Sequence, residues 1–415
     1  MRPALSPVLC DYLPKGAICS LPERFSKPSS VTDSQKLTQQ TKMTSTDLTP
    51  HQYTPLPEPV PITEQNWSED TVPLVSICCT AYNHEKFIRE CLDGFLMQKT
   101  TFPVEILIHD DASTDGTADI IREYEAQYSQ IIKPIYQTEN QYSKGVQLSQ
   151  TFNYPRSKGK YIALCEGDDY WTDPLKLQKQ VDFLDKSLDY VLVADNSIWY
   201  NLFIDKKIKF SDLSERDLGV LEMLKKRQFG TASVLFRNLG TQLFLGDVSG
   251  DTILWCHLTK YGKLRYKENI SSVYRRHAGG VTEGNKVEWA KKMIVWNNAL
   301  SKNHPDINES IFKERNLDNF KGAINSLFSD GFYQKALLSI EELADLTSNP
   351  TWYKKKLFIH VEQLIIKKEK QLTESWSYKI GRFITFPARL AIQTSKKSVK
   401  LMYLIVNKLN YKSRR

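Results

Sequence analysis

Several things are missing from this 415-residue chain. No run of ~18 or more uncharged apolar residues occurs, so no membrane-spanning helix is expected. The N-terminus has no apolar core of the secretory kind, so no signal peptide is expected. The seven cysteines (Cys10, Cys19, Cys78, Cys79, Cys91, Cys165 and Cys256) are odd in number and include no CxxC pair. Most lie in apolar runs, where cysteine acts as a small hydrophobe. That argues against a disulfide scaffold and for a reducing, cytoplasmic setting. Acidic residues stop at Glu374, while ten Lys and Arg follow, from Lys379 to Arg415, so the net charge of +8 is concentrated in the tail. This excess lies outside any recognisable nucleic-acid motif, and no nucleic-acid partner is expected.

What is present is an ordinary globular composition, with 41% hydrophobic and 25% charged residues, enough chain to bury a real core. Residues 1–70 are rich in Pro, Ser, Thr and Gln, and the run Pro55–Pro61 disfavours helix and sheet alike. Composition therefore predicts a disordered leader over 1–70, with Met1 and Met43 both open as start codons. Leu74–Thr80 reads as a buried strand, Glu85–Gln98 as an amphipathic helix, and Val104–His109 as a second strand. Thr114–Tyr128 reads as a second helix, and Ile131–Gln137 and Tyr161–Glu166 as further strands. This alternation predicts an α/β fold with a parallel, doubly wound sheet. Residues 286–375 read as a helical region. Its Gly331-x-Tyr333-x-x-Ala336-Leu337 spacing is like part of a tetratricopeptide helix pair. Residues 376–415 alternate basic and apolar side chains, as an interfacial, membrane-associating helix does.

Three polar clusters fall where strands of such a sheet end, which is where ligands bind. They are Thr80-Ala81-Tyr82-Asn83, Asp110–Thr117, and Glu166-Gly167-Asp168-Asp169-Tyr170-Trp171. Close carboxylates repel one another, and a hard divalent cation removes that cost, so Glu166-x-Asp168-Asp169 suits a metal–diphosphate site. The bland reading is a turn, with Asp173 capping a helix ahead of Pro174. The second cluster also reads as an Asx-rich turn before a helix. Three such clusters in register on one sheet favour a site.

Together, Thr80–Ile88, HDDASTDGT (109–117) and EGDDYW (166–171) resemble the inverting family-2 glycosyltransferases of the GT-A fold, in the bacterial polysaccharide-building branch. The resemblance implies a Rossmann-like, mostly parallel sheet flanked by helices over 71–285, followed by the C-terminal helical region. It implies a nucleotide-diphosphate sugar donor, UDP-sugar favoured. Thr80, Tyr82 and Glu85 match nucleotide-pocket positions, Asp111 the carboxylate that receives the base, and Asp110 its neighbour. Asn140 and Lys144, in the loop after the third strand, match candidate phosphate or ribose contacts. The alternative for that loop is a plain surface turn.

Glu166 and Asp168 match the ends of the family's metal motif, with Glu166 standing where many members have Asp, and His277 in Tyr274–Val281 matches a third ligand. Imidazole in the set favours Mn²⁺ over Mg²⁺. Arg275 and Arg276 match residues that meet the diphosphate. Phe229–Arg237 resembles the strand that carries acceptor contacts, and Asp251 matches the catalytic base. Without the resemblance Asp251 reads as a helix cap, and Asp247 is its rival. The Gln-x-x-Arg-Trp motif of processive members is absent, which points to single transfers.

The expected function is transfer of a sugar, with inversion, to a hydroxyl of a glycan or lipid-linked acceptor, in surface polysaccharide synthesis (O-antigen or capsule). The expected location is the cytoplasmic face of the inner membrane, held peripherally. Two alternatives stand beside it: a nucleotidyltransferase, and a non-catalytic nucleotide-sugar-binding module.

Overall fold

The computed structural model describes residues 53–246, 250–280 and 283–379. The greater part of the expected leader, the basic segment beyond Lys379, and Asp247 lie outside the described residues. In chain order, β1 (Val60–Pro61), β2 (Val75–Ala81), α1 (Ile88–Leu96), β3 (Lys99–Thr100), β4 (Val104–Asp110), α2 (Thr117–Gln127) and β5 (Ile132–Tyr136) form the first half. Next come β6 (Tyr161–Leu164), β7 (Tyr170–Trp171), α3 (Lys176–Lys186), β8 (Tyr190–Asn201), β9 (Lys206–Lys209), β10 (Arg216–Leu218) and α4 (Val220–Lys225). After them follow β11 (Val234–Arg237), α5 (Asp251–Leu258) and β12 (Lys263–Arg276). The helices α6 (Lys286–Asn303), α7 (Glu309–Ser329), α8 (Tyr333–Asp345) and α9 (Pro350–Lys379) end the described chain.

The main sheet runs β10-β12-β8-β11-β6-β2-β4-β5, with β9 on β8 and β7 on β12. Its β6-β2-β4-β5 part is all parallel. These strands are continuous apolar runs because both their faces are covered. Ile77, Cys79, Ile106 and Ile108 point into one core with Ile88 and Phe95 of α1, while Cys78, Leu107 and Ile162 point into another with Leu254 and Trp255 of α5. The second half is mixed: β11 is antiparallel to both β6 and β8, and β12 runs parallel to β8. The architecture is the helix-flanked sheet followed by helices that the resemblance implies, but the sheet as a whole is mixed: its parallel strands gather in the first half, and among the described residues four pairings are parallel and five antiparallel. Cys78, Cys79, Cys91, Cys165 and Cys256 are buried free thiols.

The leader prediction fails over its last stretch. Val60–Pro61 pairs with Lys99–Thr100, and Ile62 is buried. Gln65 Nε2 donates to the carbonyls of Val60 and Thr100 at 3.0 and 2.7 Å. Tyr53 packs on the core beside Trp67. Two prolines do not prevent this, because β1 needs only two residues and lies at an edge.

In the helical region α7 and α8 form the expected pair, joined at Gly331, whose φ of +81° suits glycine. They share a core with α6 and α9, built from Ile294, Phe320, Ile324, Ile340, Leu357 and Val361.

Candidate active site

The first two strand-end clusters hold each other. Asn83 Oδ1 accepts from Thr114 N at 2.8 Å, Asn83 N donates to Ser113 Oγ at 3.0 Å, and Asp111 N donates to Ala81 O at 2.9 Å. Asn83 and Ala112 take φ values of +56° and +60° to make the two turns. Much of the carboxylate chemistry here is local. Asp110 accepts from Ser113 Oγ and N, Glu85 Oε2 accepts from Gly116 N at 2.9 Å, and Asp115 Oδ1 accepts from Thr117 N at 3.0 Å. Glu85 and Asp115 thereby cap α2. Burial raises the Asp110 carboxyl above its ordinary value, and its bonds to Ser113 offset only part of that.

Asp111 is fully buried, and its two oxygens accept from Gln141 N at 2.8 Å and Tyr142 N at 3.0 Å. It therefore fixes the loop after β5, with Asn140 Nδ2 on its carbonyl at 3.3 Å. Lys144 pairs with Glu139. Tyr82 stands 44% exposed at the rim. Lys292 of α6 lies 4.9 Å over the Tyr142 ring, so the helical region braces this loop.

The third cluster brings carboxylates and imidazoles together. Asp168 Oδ2 sits 2.9 Å from His277 Nε2 and 3.9 Å from His84 Nε2. Burial would raise the Asp168 carboxyl, but its hydrogen bond with His277 and the two imidazoles hold it below its ordinary value. Glu166 accepts from the Thr80 hydroxyl. Burial pushes Glu166 up to about 8, and the neighbouring charges of Asp168 and Asp251 add to the rise. Asp169 is raised well above its ordinary value, by burial first and then by Asp168. Its Oδ1 accepts from Arg275 N at 2.8 Å, which makes it a latch on β12. Gly167 is required here: a Cβ would meet His84 Nδ1 at 2.9 Å and Ile88 Cδ1 at 3.0 Å.

The donor set fits a cation chemically. Three acidic side chains crowd a buried site, two of them driven toward the neutral form, and the buried His84 Nδ1 has no hydrogen-bond partner. The three proposed ligands are not all drawn together, however. Asp168 and His277 meet, while Glu166 is held by Thr80, and no group of three or more potential ligands converges among the described residues.

Beneath this cluster lies a buried strut. Trp171 Nε1 donates to Ala232 O at 2.7 Å, and Lys176 Nζ sits 4.4 Å over the Trp171 ring. Lys176 donates to Gln180 Oε1 at 2.9 Å, and Gln180 Nε2 donates to Asp195 Oδ2 at 2.9 Å. Burial pushes Lys176 down to about 8 and Asp195 up to about 6.

On the acceptor side, Asp251 opens α5, and its Oδ2 accepts from Arg227 Nη2 at 2.9 Å and from the Thr231 hydroxyl. Its side chain is 40% exposed. The cap position is Gly250, whose carbonyl accepts from Ile253 N and Leu254 N, so Asp251 is the first residue of α5 rather than its cap. Arg227 also lies 5.3 Å from the centre of the Tyr274 ring. Sequence reading missed it, because Lys225-Lys226-Arg227 looks like a solvated basic run. Two other basic residues have protein partners here. Arg275 is tied to Glu90 and to Asp168 O, with Tyr170 4.2 Å beneath its guanidinium. Arg276 pairs with Glu283 at 2.7 Å.

The family model described as Glycosyl transferase family 2 matches residues 76–235. The uncharacterized protein Rv1520 of Mycobacterium tuberculosis (strain H37Rv) is 39% identical over 221 residues, covering 50% of this chain and 60% of that protein. The chain thus spans about 60% of the length of the mycobacterial relatives it matches. The UDP-Glc:alpha-D-GlcNAc-diphosphoundecaprenol beta-1,3-glucosyltransferase WfaP of Escherichia coli is 30% identical over 232 residues, covering 55% of this chain and 85% of the relative. Among solved structures, S. aureus TarS 1-349 in complex with UDP-GlcNAc gives a TM-score of 0.46 at 16% identity, over 75% of this chain and 93% of that one.

Proposed function

Because the chain belongs to the family-2 glycosyltransferases, we propose that it transfers a sugar, with inversion, from a nucleotide-diphosphate sugar to an acceptor hydroxyl. One observation carries the reading. A half-exposed carboxylate, Asp251, stands near enough to the buried Glu166–Asp168–His277 group for its charge to raise Glu166. An inverting transfer needs this arrangement: a base for the acceptor on one side and a charge-stabilising site for the leaving group on the other.

In this mechanism Asp251 takes the proton from the acceptor hydroxyl as that oxygen attacks the anomeric carbon. Arg227 and the Thr231 hydroxyl hold the carboxylate in place while it does so. The bond from the anomeric carbon to the diphosphate breaks on the opposite face. Asp168 and His277, with Glu166 beside them, would hold a divalent cation, Mn²⁺ or Mg²⁺. When bound it neutralises the departing diphosphate. Arg275 keeps the Asp168 backbone fixed, and Asp169 ties the same turn to β12. Thr80, Tyr82, Glu85, Asp110, Asp111, Asn140 and Lys144 would border the nucleotide, Asp111 chiefly by fixing the loop.

Similarity to the E. coli UDP-Glc:alpha-D-GlcNAc-diphosphoundecaprenol glucosyltransferase supports a UDP-sugar donor and a lipid-linked acceptor in polysaccharide synthesis. No helix among the described residues is long and apolar enough to cross a membrane. With a lipid-linked acceptor this favours peripheral attachment at a membrane surface.

The test is release of nucleotide diphosphate from a panel of UDP-, GDP- and dTDP-sugars with Mn²⁺ present. The reading expects one donor to be consumed by the wild type and not by Asp251→Asn. Failure of every donor would overturn it.

A further inference from the structure

Outside the site, the β8–β9 hairpin carries an unusual surface. Here Asn201–Phe210 (NLFIDKKIKF) turns back on itself through Asp205, at a φ of +46°. Among the described residues β9 pairs only with β8, and all four of its residues are exposed. At the turn Phe203 is 55% and Ile204 65% exposed, and Ile208 on the returning strand is 45% exposed. Lys206, Lys207 and Lys209 surround them, and the one acidic residue, Asp205, accepts from Tyr200 Oη at 2.8 Å.

Exposed aromatic and aliphatic side chains at a turn weaken solubility unless something receives them. A protein partner is a poor fit, because a stable interface covers ~800 Å² on each side, far more than two side chains at a hairpin tip supply. A bilayer surface fits: apolar side chains enter the headgroup boundary while the lysines meet anionic lipid. The position matters as well. Leu202 N donates to Arg276 O at 3.0 Å, and the Arg276 guanidinium lies 5.6 Å from the centre of the Phe203 ring. Arg276 immediately precedes His277, so the hairpin is anchored at the rim of the site.

We propose that the hairpin is a membrane-docking element that dips Phe203 and Ile204 into an anionic lipid surface and brings the mouth of the site to a membrane-borne acceptor. This deepens the lipid-linked-acceptor reading and rests on it for its purpose, though lipid binding itself is measured separately. The hairpin is distinct from the basic segment after Lys379, which is a second candidate for membrane contact.

The experiment uses the full chain with vesicles of phosphatidylcholine alone and of phosphatidylcholine with phosphatidylglycerol. Co-sedimentation is measured for the wild type, for F203S/I204S, and for K206E/K207E/K209E. Hydrogen exchange of residues 200–210 is followed with and without vesicles. Binding by the wild type is expected on the anionic vesicles only, with slower exchange across the hairpin. The lysine variant is expected to partition ~100-fold more weakly, at roughly fivefold for each of the three lysines lost near the surface. The apolar variant is expected to lose the exchange protection.

Wild-type partitioning by both variants, or vesicle binding without protection of 200–210, would overturn the proposal in favour of the basic segment. No vesicle binding at all would overturn it too. Variants that instead abolish self-association in lipid-free sedimentation would assign the surface to a second copy of the chain. Nucleotide diphosphate release from soluble donor is recorded on the same samples: its loss in the wild type sinks the transferase reading, while intact release with unchanged partitioning sinks only the hairpin.

Discussion

Replacing Gly250 by alanine should damage both stability and rate, for a reason that can be worked through atom by atom. Gly250 has a φ of +145°, which L side chains rarely adopt, and its carbonyl receives the first hydrogen bonds of α5. A Cβ there would stand 2.7 Å from Trp296 Cζ3, 2.8 Å from Cη2 and 3.0 Å from Cε3. An indole ring is rigid, and Trp289 packs against this one at 5.6 Å. Overpacking costs ~1–3 kcal/mol, and forcing an L residue into this backbone region ~1–3 kcal/mol more. The sum, ~2–6 kcal/mol, should lower Tm by ~3–8 °C at an unfolding entropy of ~2.1 cal/mol/K per residue over several hundred residues. Because Asp251 is the next residue, a displacement of ~1 Å should also cost ~100-fold in kcat.

The assay is thermal unfolding and donor turnover on G250A, W296L and the double variant. Trp296→Leu removes the steric part and leaves the backbone part, so G250A should cost less in that background, by the overpacking term. Equal costs in both backgrounds would refute the role given to Trp296. A lower Tm with unchanged kcat would refute the claim that this junction positions Asp251.

Asp251→Asn should lower kcat by ~100–10,000-fold and leave donor affinity intact by calorimetry; a loss of donor binding instead would remove Asp251 from the role of base. Asp168→Asn should abolish Mn²⁺ binding measured by calorimetry, because it deletes the carboxylate that His277 faces; unchanged Mn²⁺ affinity would refute the metal assignment. Lys176 gives a pH signature. Its folded value of about 8 lies below the ordinary 10.5, so between these the unfolded chain holds the proton and the folded chain does not. Stability linked to Lys176 therefore rises with pH across that window, by ~3 kcal/mol at most. Chemical denaturation at pH 8 and 10 should show that rise in the wild type and a smaller one in Lys176→Met; equal slopes would contradict it.

Much of the donor half was legible because its physics is local. The runs LVSICCT and VEILIH are apolar throughout, since both sheet faces are covered, and the polar clusters follow them directly. The acceptor half was less legible. β11 reaches β6 and β8 by pairing across long stretches of chain, and no period in the sequence announces such a partner. Arg227 carries no local signal, and Lys176 sits in a run of lysines and glutamines that resembles a solvated helix face, yet it is fully buried. The carboxylates of the second cluster were legible as chemistry but less so as roles. Asp111 is the clearest case, since whether it faces a ligand or a loop depends on amides of Gln141 and Tyr142, thirty residues away. The ordered part of the leader was hidden by composition, because one buried isoleucine and one glutamine with two carbonyl partners suffice to hold it.

The insertion of β11 between β6 and β8 bears on how the protein is made. A ribosome delivers β6 about 70 residues before β11, roughly 4–14 s earlier at ~5–20 residues per second. During that interval the growing chain holds a nearly finished parallel sheet with one bare edge, formed by Tyr161–Leu164, and an open strand of this kind recruits whatever extended chain is nearby. β8 is synthesised first and is the nearest wrong partner, since it must end one strand further out. The edge is closed only when Leu235 comes to lie opposite Ala163. Production of this chain in a heterologous host should thus be limited by the passage from residue 164 to residue 237, so that slowing translation before β8, or supplying a chaperone that covers extended segments, raises the soluble yield more than any change to the finished fold.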